Sequence, residues 1–398
     1  MMNRRQFLTT AAALAVATPA RAEATPGVTA KEIKIGQTMP YSGPASAYGV
    51  IGQTEAAYFK WINEQGGVNG RMINLLSLDD GYSPPKTVEQ TRRLVEQEKV
   101  AFLFNPLGTP CNLATREYLN KNGVPQLYVA TGAATFSDPE HFKWTLGLQP
   151  NYQTEAGIFA RHVLATKPQA KIAVLYQNDG FGKDYLIGLK TGLGADHAGM
   201  VIKEASYETT EPTVDSQVTA LQGSGADVFL IAATPKFAAQ AIRKSFDLGW
   251  NATRYVTDVS LSIASVMKAA GFAKAKGLIT ANYGKDASDP RWKDDAGFKQ
   301  YKDFVDKRMS ARQLVDSNVI YGYDAAILMV HVLKQCGDDL SRANVLKQAT
   351  NINGLDLPML LPGIKINTSP TNYSPIRQMQ LQSFNGSSWE LFGDILQG

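Results

Sequence analysis

The chain has 398 residues, of which 44% are hydrophobic and 19% charged, and its formal net charge is +4. A chain of this length suits two domains, and its hydrophobic content can supply a core for each. The near balance of 40 basic and 36 acidic residues argues against a nucleic-acid-binding protein, which would need a strongly basic face.

Residues 1–22 are typical of a cleaved secretory signal. Arg4 and Arg5 precede the apolar run 11–17, and small residues follow up to Ala22. The paired arginines indicate the twin-arginine export route. The apolar run is much shorter than the ~20 residues that a membrane-spanning helix needs. We therefore expect cleavage after Ala22 and release into the periplasm; the alternative is an uncleaved membrane anchor.

Cysteine and histidine are scarce in this sequence. Cys111 and Cys336 could pair in an oxidising compartment or remain two separate buried thiols, because sequence does not give their distance. The four histidines share no metal-ligand spacing with each other or with the cysteines. We therefore expect neither a metal site nor a cofactor.

From residue 31 onward, predicted strands alternate with single amphipathic helices, a pattern that indicates parallel βαβ units. A first set of strands is predicted at 33–36, 73–78, 100–105 and 126–130. A second set is predicted at 172–176, 201–207, 227–232 and 254–257. The two sets are joined by residues 144–152, which implies two similar lobes.

The last third of the chain has a different pattern. After a further strand at 278–281, long helices are predicted over 292–308, 323–336 and 342–350. Short antiparallel strands are predicted at 364–366, 377–384 and 389–391.

Small polar loops, most of them containing glycine, follow several predicted strands. They span 40–49, 107–110 and 131–135 in the first half, and 179–182, 234–235 and 258–260 in the second. Parallel α/β sheets bind ligands beyond the carboxyl ends of their strands, where backbone N–H groups and helix N-termini are presented. Such loops could hold a carboxylate with N–H groups and the Thr109 or Thr131 hydroxyl. Alternatively, they are ordinary strand-to-helix turns.

Three segments resemble the periplasmic binding proteins for branched-chain amino acids, and the order of elements agrees with that family from about residue 31 to the end. The first segment comprises the first strand and the loop after it. The second precedes the second strand, and the third covers the end of the first strand of the second set and the loop after it. They are Ile33-Lys34-Ile35-Gly36 with Ser42-Gly43-Pro44 and Tyr48-Gly49, Asn63-Glu64-Gln65-Gly66-Gly67-Val68-Asn69-Gly70-Arg71, and Tyr176-Gln177-Asn178-Asp179-Gly180-Phe181-Gly182.

The resemblance implies an α/β type I periplasmic-binding fold, with two Rossmann-like lobes, a ligand cleft between them and three crossover segments. We expect lobe 1 to comprise residues 23–149 and 283–355, and lobe 2 residues 150–282 and 356–398. The resemblance also implies a partner, the membrane permease of an ABC importer, to which the protein delivers a small molecule. We expect a monomer that is not an enzyme.

The family's ligand contacts transfer onto loops of both lobes. The ligand carboxylate would meet the loops after the third and fourth strands, and Tyr48 and Phe181 would cover the ligand. Asp258 would meet the ammonium of an amino acid, although it could instead serve as a helix N-cap. The expected ligand-binding residues are Tyr48, Gly108, Thr109, Ala130, Thr131, Gly132, Phe181, Thr234, Asp258 and Tyr321.

The sequence leaves the ligand open. Phe181 stands where the family often has a tyrosine, and Tyr41, Trp144 and Tyr321 are further candidates to line the cleft, or they belong to the core. Aromatic walls suit a planar ring as well as an aliphatic side chain. The expected ligand is therefore a branched-chain or other amino acid, or an aromatic carboxylate.

Two other functions remain as alternatives. A hydrolase would need a nucleophile signature such as Gly-x-Ser-x-Gly, which this sequence lacks. A dinucleotide-binding enzyme would need a glycine motif after a strand, but the Gly192-Leu193-Gly194 segment ends a predicted helix and fits a C-cap. A ligand sensor that reports to a signalling protein would use the same cleft. We expect transport, because no output domain is fused to the two lobes.

Overall fold

Two sheets organise residues 25–397, the part of the chain that this computed structural model describes. The proposed signal segment and its cleavage site lie outside these residues. The first sheet has the strand order β2-β1-β3-β4-β5, and its paired strands are all parallel. Its strands are β1 (Glu32–Met39), β2 (Met72–Asp79), β3 (Leu103–Phe104), β4 (Gln126–Val129) and β5 (Thr145–Gly147).

The second sheet has seven strands in the order β12-β11-β10-β9-β8-β6-β7. Its last two strands in sequence, β11 and β12, are antiparallel to their neighbours, and the other pairs are parallel. The strands are β6 (Ile172–Gln177), β7 (Val201–Tyr207), β8 (Val228–Ala232), β9 (Thr253–Val256), β10 (Ile279–Asn282), β11 (Gln378–Phe384) and β12 (Trp389–Gln397).

Helices cover both sheets, which explains why central strands such as β6 and β8 are buried along most of their length. The helices are α1 (Gly49–Glu64), α2 (Pro84–Arg92), α3 (Thr109–Lys121), α4 (Tyr152–Thr166), α5 (Gly180–Leu193), α6 (Asp215–Gln222), α7 (Pro235–Asp247), α8 (Lys268–Ala270), α9 (Phe272–Ala275), α10 (Ala296–Arg308), α11 (Ser317–Cys336) and α12 (Arg342–Ala349). None of the helices within residues 25–397 is both long enough and apolar enough for a membrane span.

We call the first sheet with its helices lobe 1 and the second sheet with its helices lobe 2. The chain passes between them after β5, after β10 and before β11. The third passage lies later than expected, because Leu357, Leu361, Ile366 and Ile376 pack in the core of lobe 1. We therefore propose to draw the last boundary next to residue 377 rather than between residues 355 and 356.

Two expected features of the chain differ from the structure. Residues 364–366 do not form a strand: Ile366 makes one isolated bridge with Leu355, while Ile364 and Ile366 are buried in lobe 1. Helix α4 was not expected between the two sets of strands. Its apolar residues spread around the helix because it is buried against α5, the sheet and the lobe interface, so its sequence lacks a simple one-sided pattern.

The two cysteines are unpaired and buried in different places. Cys111 lies in a small apolar cluster near the cleft, whereas Cys336 lies at the end of α11 in the large core of lobe 1. Of the two alternatives that the sequence left open, the structure has the separate thiols.

Candidate functional site

A cavity lies between the lobes, at the carboxyl ends of the strands of both sheets. This is where a parallel α/β sheet presents loops and helix N-termini to a ligand. Eight of the ten expected residues line it. They are Tyr48, Gly108, Thr109, Ala130, Phe181, Thr234, Asp258 and Tyr321.

The N-terminus of α3 forms one corner of the cavity on lobe 1. Gly108 precedes the helix with φ of 101°, and a Cβ there would come within 2.6 Å of the Tyr82 ring, so glycine allows the close approach of that ring. The first N–H groups of a helix have no acceptor within the helix, and their dipoles favour a negative group. Thr109, at the start of this 13-residue helix, is therefore well placed to meet a carboxylate.

Thr131 and Gly132, which we expected to contact the ligand, lie behind the cavity wall rather than in it. The Thr131 hydroxyl is 2.6 Å from that of Thr109 and accepts the Ala133 N–H at 3.1 Å. A Cβ on Gly132 would come within 2.8 Å of the Tyr152 ring and would also overlap the Pro150 carbonyl oxygen. Thr131 therefore supports Thr109, and Gly132 makes room for the first passage between the lobes.

Aromatic side chains from both lobes surround the cavity. Phe181 packs edge-on against Tyr152, with ring centroids 5.1 Å apart. Tyr82, Tyr152 and Tyr283 line the cavity but were absent from the expected set. Tyr152 and Tyr283 follow directly after passages between the lobes, and this position next to a hinge is the signal that could have identified them.

Two of the aromatic candidates lie elsewhere. The Tyr41 hydroxyl is hydrogen-bonded to Ser77 at 2.6 Å, beside β2, and Trp144 packs next to Gly123 and Lys143. Neither side chain lines the cavity.

Asp258 is the acid that lobe 2 contributes, and only 7% of it is exposed. It follows β9 and begins a short 3-10 turn whose N-cap position is Thr257, so it does not serve as the N-cap. Its backbone N–H donates to Glu155 Oε1 at 2.9 Å. Burial raises the pKa of the Asp258 carboxyl to about 6.

The cavity wall has more acidic side chains than basic ones. Its acids are Asp258, Asp286 and Asp324, and its one basic side chain within residues 25–397 is Lys285. The Lys285 Nζ is already bonded to Asp295 at 2.6 Å and to the Pro358 carbonyl at 2.9 Å. The described wall therefore offers no unpaired cation to a ligand.

The lobes contact each other across the cavity. The Tyr48 hydroxyl donates to the Val259 carbonyl at 3.0 Å, and the Ser262 hydroxyl donates to Asp316 Oδ1 at 2.9 Å. These bonds join lobe 1 to lobe 2, so the cleft is closed in this structure. A ligand in the cavity would be enclosed by side chains from both lobes.

Comparison with known proteins agrees with this architecture. A relative from Brucella abortus, the Leu/Ile/Val-binding protein homolog 1, is 25% identical over 318 residues, which cover 77% of this chain and 80% of the relative. A branched-chain amino acid ABC transporter structure from Thermus thermophilus with bound valine is 16% identical. It has a TM-score of 0.83 and covers 93% of this chain and 98% of that one.

A second solved structure, a solute-binding protein of an ABC transporter from Rhodopseudomonas palustris, was determined with 3,4-dihydroxybenzoic acid. It is 17% identical, with a TM-score of 0.75, and covers 92% of this chain and 97% of that one. These structural likenesses confirm the expected type I periplasmic-binding fold. The family model for periplasmic binding proteins matches residues 32–388. The chain therefore belongs to the periplasmic binding protein family.

Proposed function

We propose that this protein captures a small carboxylate-bearing molecule in the periplasm and delivers it to the membrane permease of an ABC importer. The observation that supports this most directly is the closed cavity itself. It combines a helix N-terminus and Thr109 on lobe 1 with Phe181 and Asp258 on lobe 2. A ligand held by both lobes favours the closed form by its differential affinity for that form.

The ligand would dock in two stages. Its carboxylate would first meet the N-terminus of α3 and the Thr109 hydroxyl, which Thr131 holds from behind. Phe181 and the Asp258 region would then close over it from lobe 2. Only the closed form has all these contacts. A permease that recognises the surface of the closed form would therefore bind protein that carries a ligand.

The class of ligand depends on the side chains that surround the part of the ligand beyond its carboxylate. Asp258 suits the ammonium of an amino acid, and the relative with bound valine supports that class. The aromatic lining suits a benzoate ring, and the relative with 3,4-dihydroxybenzoic acid supports that class. We therefore propose a branched-chain or other amino acid, or an aromatic carboxylate.

Thermal unfolding against a ligand panel tests this function. Residues 23–398 would be purified, freed of bound ligand by unfolding and refolding, and mixed with aliphatic and aromatic amino acids, hydroxylated benzoates, cinnamates and short amides. A ligand at ~100 times its dissociation constant stabilises the protein by about 2.7 kcal/mol, which raises the midpoint measurably. If no member of the panel raises the midpoint, this proposal is wrong. Uptake by a strain that lacks the gene separates transport from sensing.

A further inference from the structure

A second buried carboxyl lies directly behind Asp258. Glu155, in the first turns of α4, is 1% exposed and does not line the cavity. Its Oε1 accepts the Asp258 N–H at 2.9 Å, and its Oε2 is hydrogen-bonded to the Tyr185 hydroxyl, which also contacts Thr257. The side-chain carboxyls of Glu155 and Asp258 lie within hydrogen-bonding reach of each other.

No basic side chain among the described residues neutralises this pair. The titratable groups that face it are the phenols of Tyr48, Tyr152, Tyr185, Tyr283 and Tyr321. Two carboxylates side by side and out of water repel each other, so one of them keeps its proton. Burial, followed by the charge of Asp258, raises the pKa of Glu155 well above its usual range, so Glu155 keeps the proton.

The pair therefore presents one negative charge to the cavity, on Asp258. A buried charge without a partner costs free energy, and the nearest basic side chain in the wall, Lys285, is occupied by Asp295. A ligand that brings a positive nitrogen would supply the missing partner. A carboxylate without such a nitrogen would add a second negative charge instead.

We propose that Glu155 is a specificity-determining residue, which as a neutral acid holds the Asp258 carboxylate in place and thereby selects ligands with a protonated amine. This inference rests on the proposed ligand-binding function and narrows it to amino acids and related primary amines. Glu155 acts through Asp258 and does not touch the ligand, so it is a positioning residue.

Matched pairs of probes test the ligand class. L-leucine and 4-methylpentanoate differ only in the amine, as do L-phenylalanine and 3-phenylpropanoate. We expect the amino acid of at least one pair to bind at least about 30-fold more tightly than its partner in titration calorimetry at pH 7. Equal binding within every pair that binds, or binding of aromatic carboxylates alone, overturns this inference and leaves the proposed function standing. If no probe or panel member binds, both fail.

Two substitutions test the role of Glu155. Glu155→Gln keeps an acceptor for the Asp258 N–H and resembles the protonated acid, so affinity for the better amino acid probe should stay within about threefold of wild type. Glu155→Met removes both hydrogen bonds and should weaken binding about tenfold or more. Equal loss in both variants, or no loss in Glu155→Met, overturns the assignment.

The pH profile separates positioning from a general structural role. The affinity of wild type for an amine should fall as pH drops through about 6, because Asp258 becomes protonated there. The Glu155 side chain lowers the pKa of the Asp258 carboxyl. The midpoint of the pH profile should therefore lie at higher pH in Glu155→Met, whereas Glu155→Gln should keep the wild-type midpoint. Circular dichroism and thermal unfolding establish that each variant is folded. An unmoved midpoint in Glu155→Met contradicts the inference even if affinity falls.

Discussion

The hydroxyl of Thr109 has a defined role that a single substitution can isolate. Thr109→Val keeps the shape of the side chain but removes the bond to Thr131 and the proposed bond to the ligand carboxylate. We expect ligand affinity to fall by about 1–3 kcal/mol in calorimetry, with about 1 kcal/mol lost in stability. Thr115→Val is the matched control, because Thr115 is equally buried in the same helix but lies outside the cavity. Equal affinity loss in both variants would contradict the proposed contact.

A buried acid on lobe 1 should make stability depend on pH. Burial raises the pKa of Asp324 from 3.8 to about 8, and its carboxyl accepts the Met359 N–H. Between these two values the folded state binds more protons than the unfolded state, so the contribution of Asp324 to stability is present below about pH 4 and is lost as pH rises towards 8.

Asp324→Asn removes this dependence while keeping the size of the side chain. Relative to wild type, the ligand-free variant should gain at least about 1 kcal/mol of unfolding free energy between pH 5 and pH 8, measured by urea denaturation. Asp294→Asn replaces an exposed acid and should show no such gain. If the free energies of unfolding of Asp324→Asn and wild type change in parallel with pH, Asp324 is not a buried neutral acid.

Among single residues, the sequence could indicate which side chains line the cavity where the position after a strand decides the place of the side chain, and their contact with a ligand stays a prediction. Thr109, Phe181 and Asp258 each follow a strand of a parallel sheet and line the cavity. Thr131 also follows a strand, but its hydroxyl turns back to the Ala133 N–H, and residue order cannot specify such a turn. The depth of Glu155 behind Asp258 likewise depends on tertiary packing.

At the scale of elements, alternating strands and helices were predictable because buried parallel strands and amphipathic helices have different periods. Prediction from this pattern was wrong where a helix is buried on more than one side or where a strand-like segment has no neighbouring strand to pair with. Helix α4 is buried on more than one side, so its apolar residues show no single face. The Ile-Lys-Ile alternation at 364–366 resembles a strand, but both isoleucines insert into the core of lobe 1 without a pairing strand.

The close packing of α4 on α5 leads to a prediction about two glycines. A Cβ on Gly188 would overlap the Gln153 carbonyl oxygen, whereas a Cβ on Gly157 would meet only ordinary contacts at 3.8 Å. Gly188→Ala should therefore destabilise the protein by about 1–3 kcal/mol, although alanine favours helix formation. Gly157→Ala should be neutral or stabilise it by up to about 1 kcal/mol. Urea denaturation of both variants measures this contrast, and the same sign in both would contradict the packing argument.

At the scale of the whole molecule, each lobe has a large core of its own, and a third apolar cluster joins β4 of lobe 1 to α4, α5 and β6 of lobe 2. Three passages connect the lobes, and the bonds across the cleft require the lobes to be in contact. A bond that exists only in the closed form contributes to apparent affinity without touching the ligand. Affinity and closure should therefore change together when such a bond is removed.

The bond between Ser262 and Asp316 tests this coupling, because Ser262 does not line the cavity. Ser262→Ala should raise the dissociation constant of the ligand about threefold to tenfold, since the closed form loses the hydrogen bond across the cleft, worth about 1 kcal/mol. The Ser262 hydroxyl also accepts the Ser265 N–H at 3.1 Å within lobe 2, and that bond is lost in the open and closed forms alike. Small-angle scattering should show a larger radius of gyration for the variant than for wild type at subsaturating ligand. Saturating ligand should remove the difference. Ser245→Ala is the matched control, because that buried hydroxyl bonds within lobe 2, to the Ile242 carbonyl at 3.0 Å. Unchanged affinity in Ser262→Ala, or equal changes in both variants, would show that this contact does not contribute to closure.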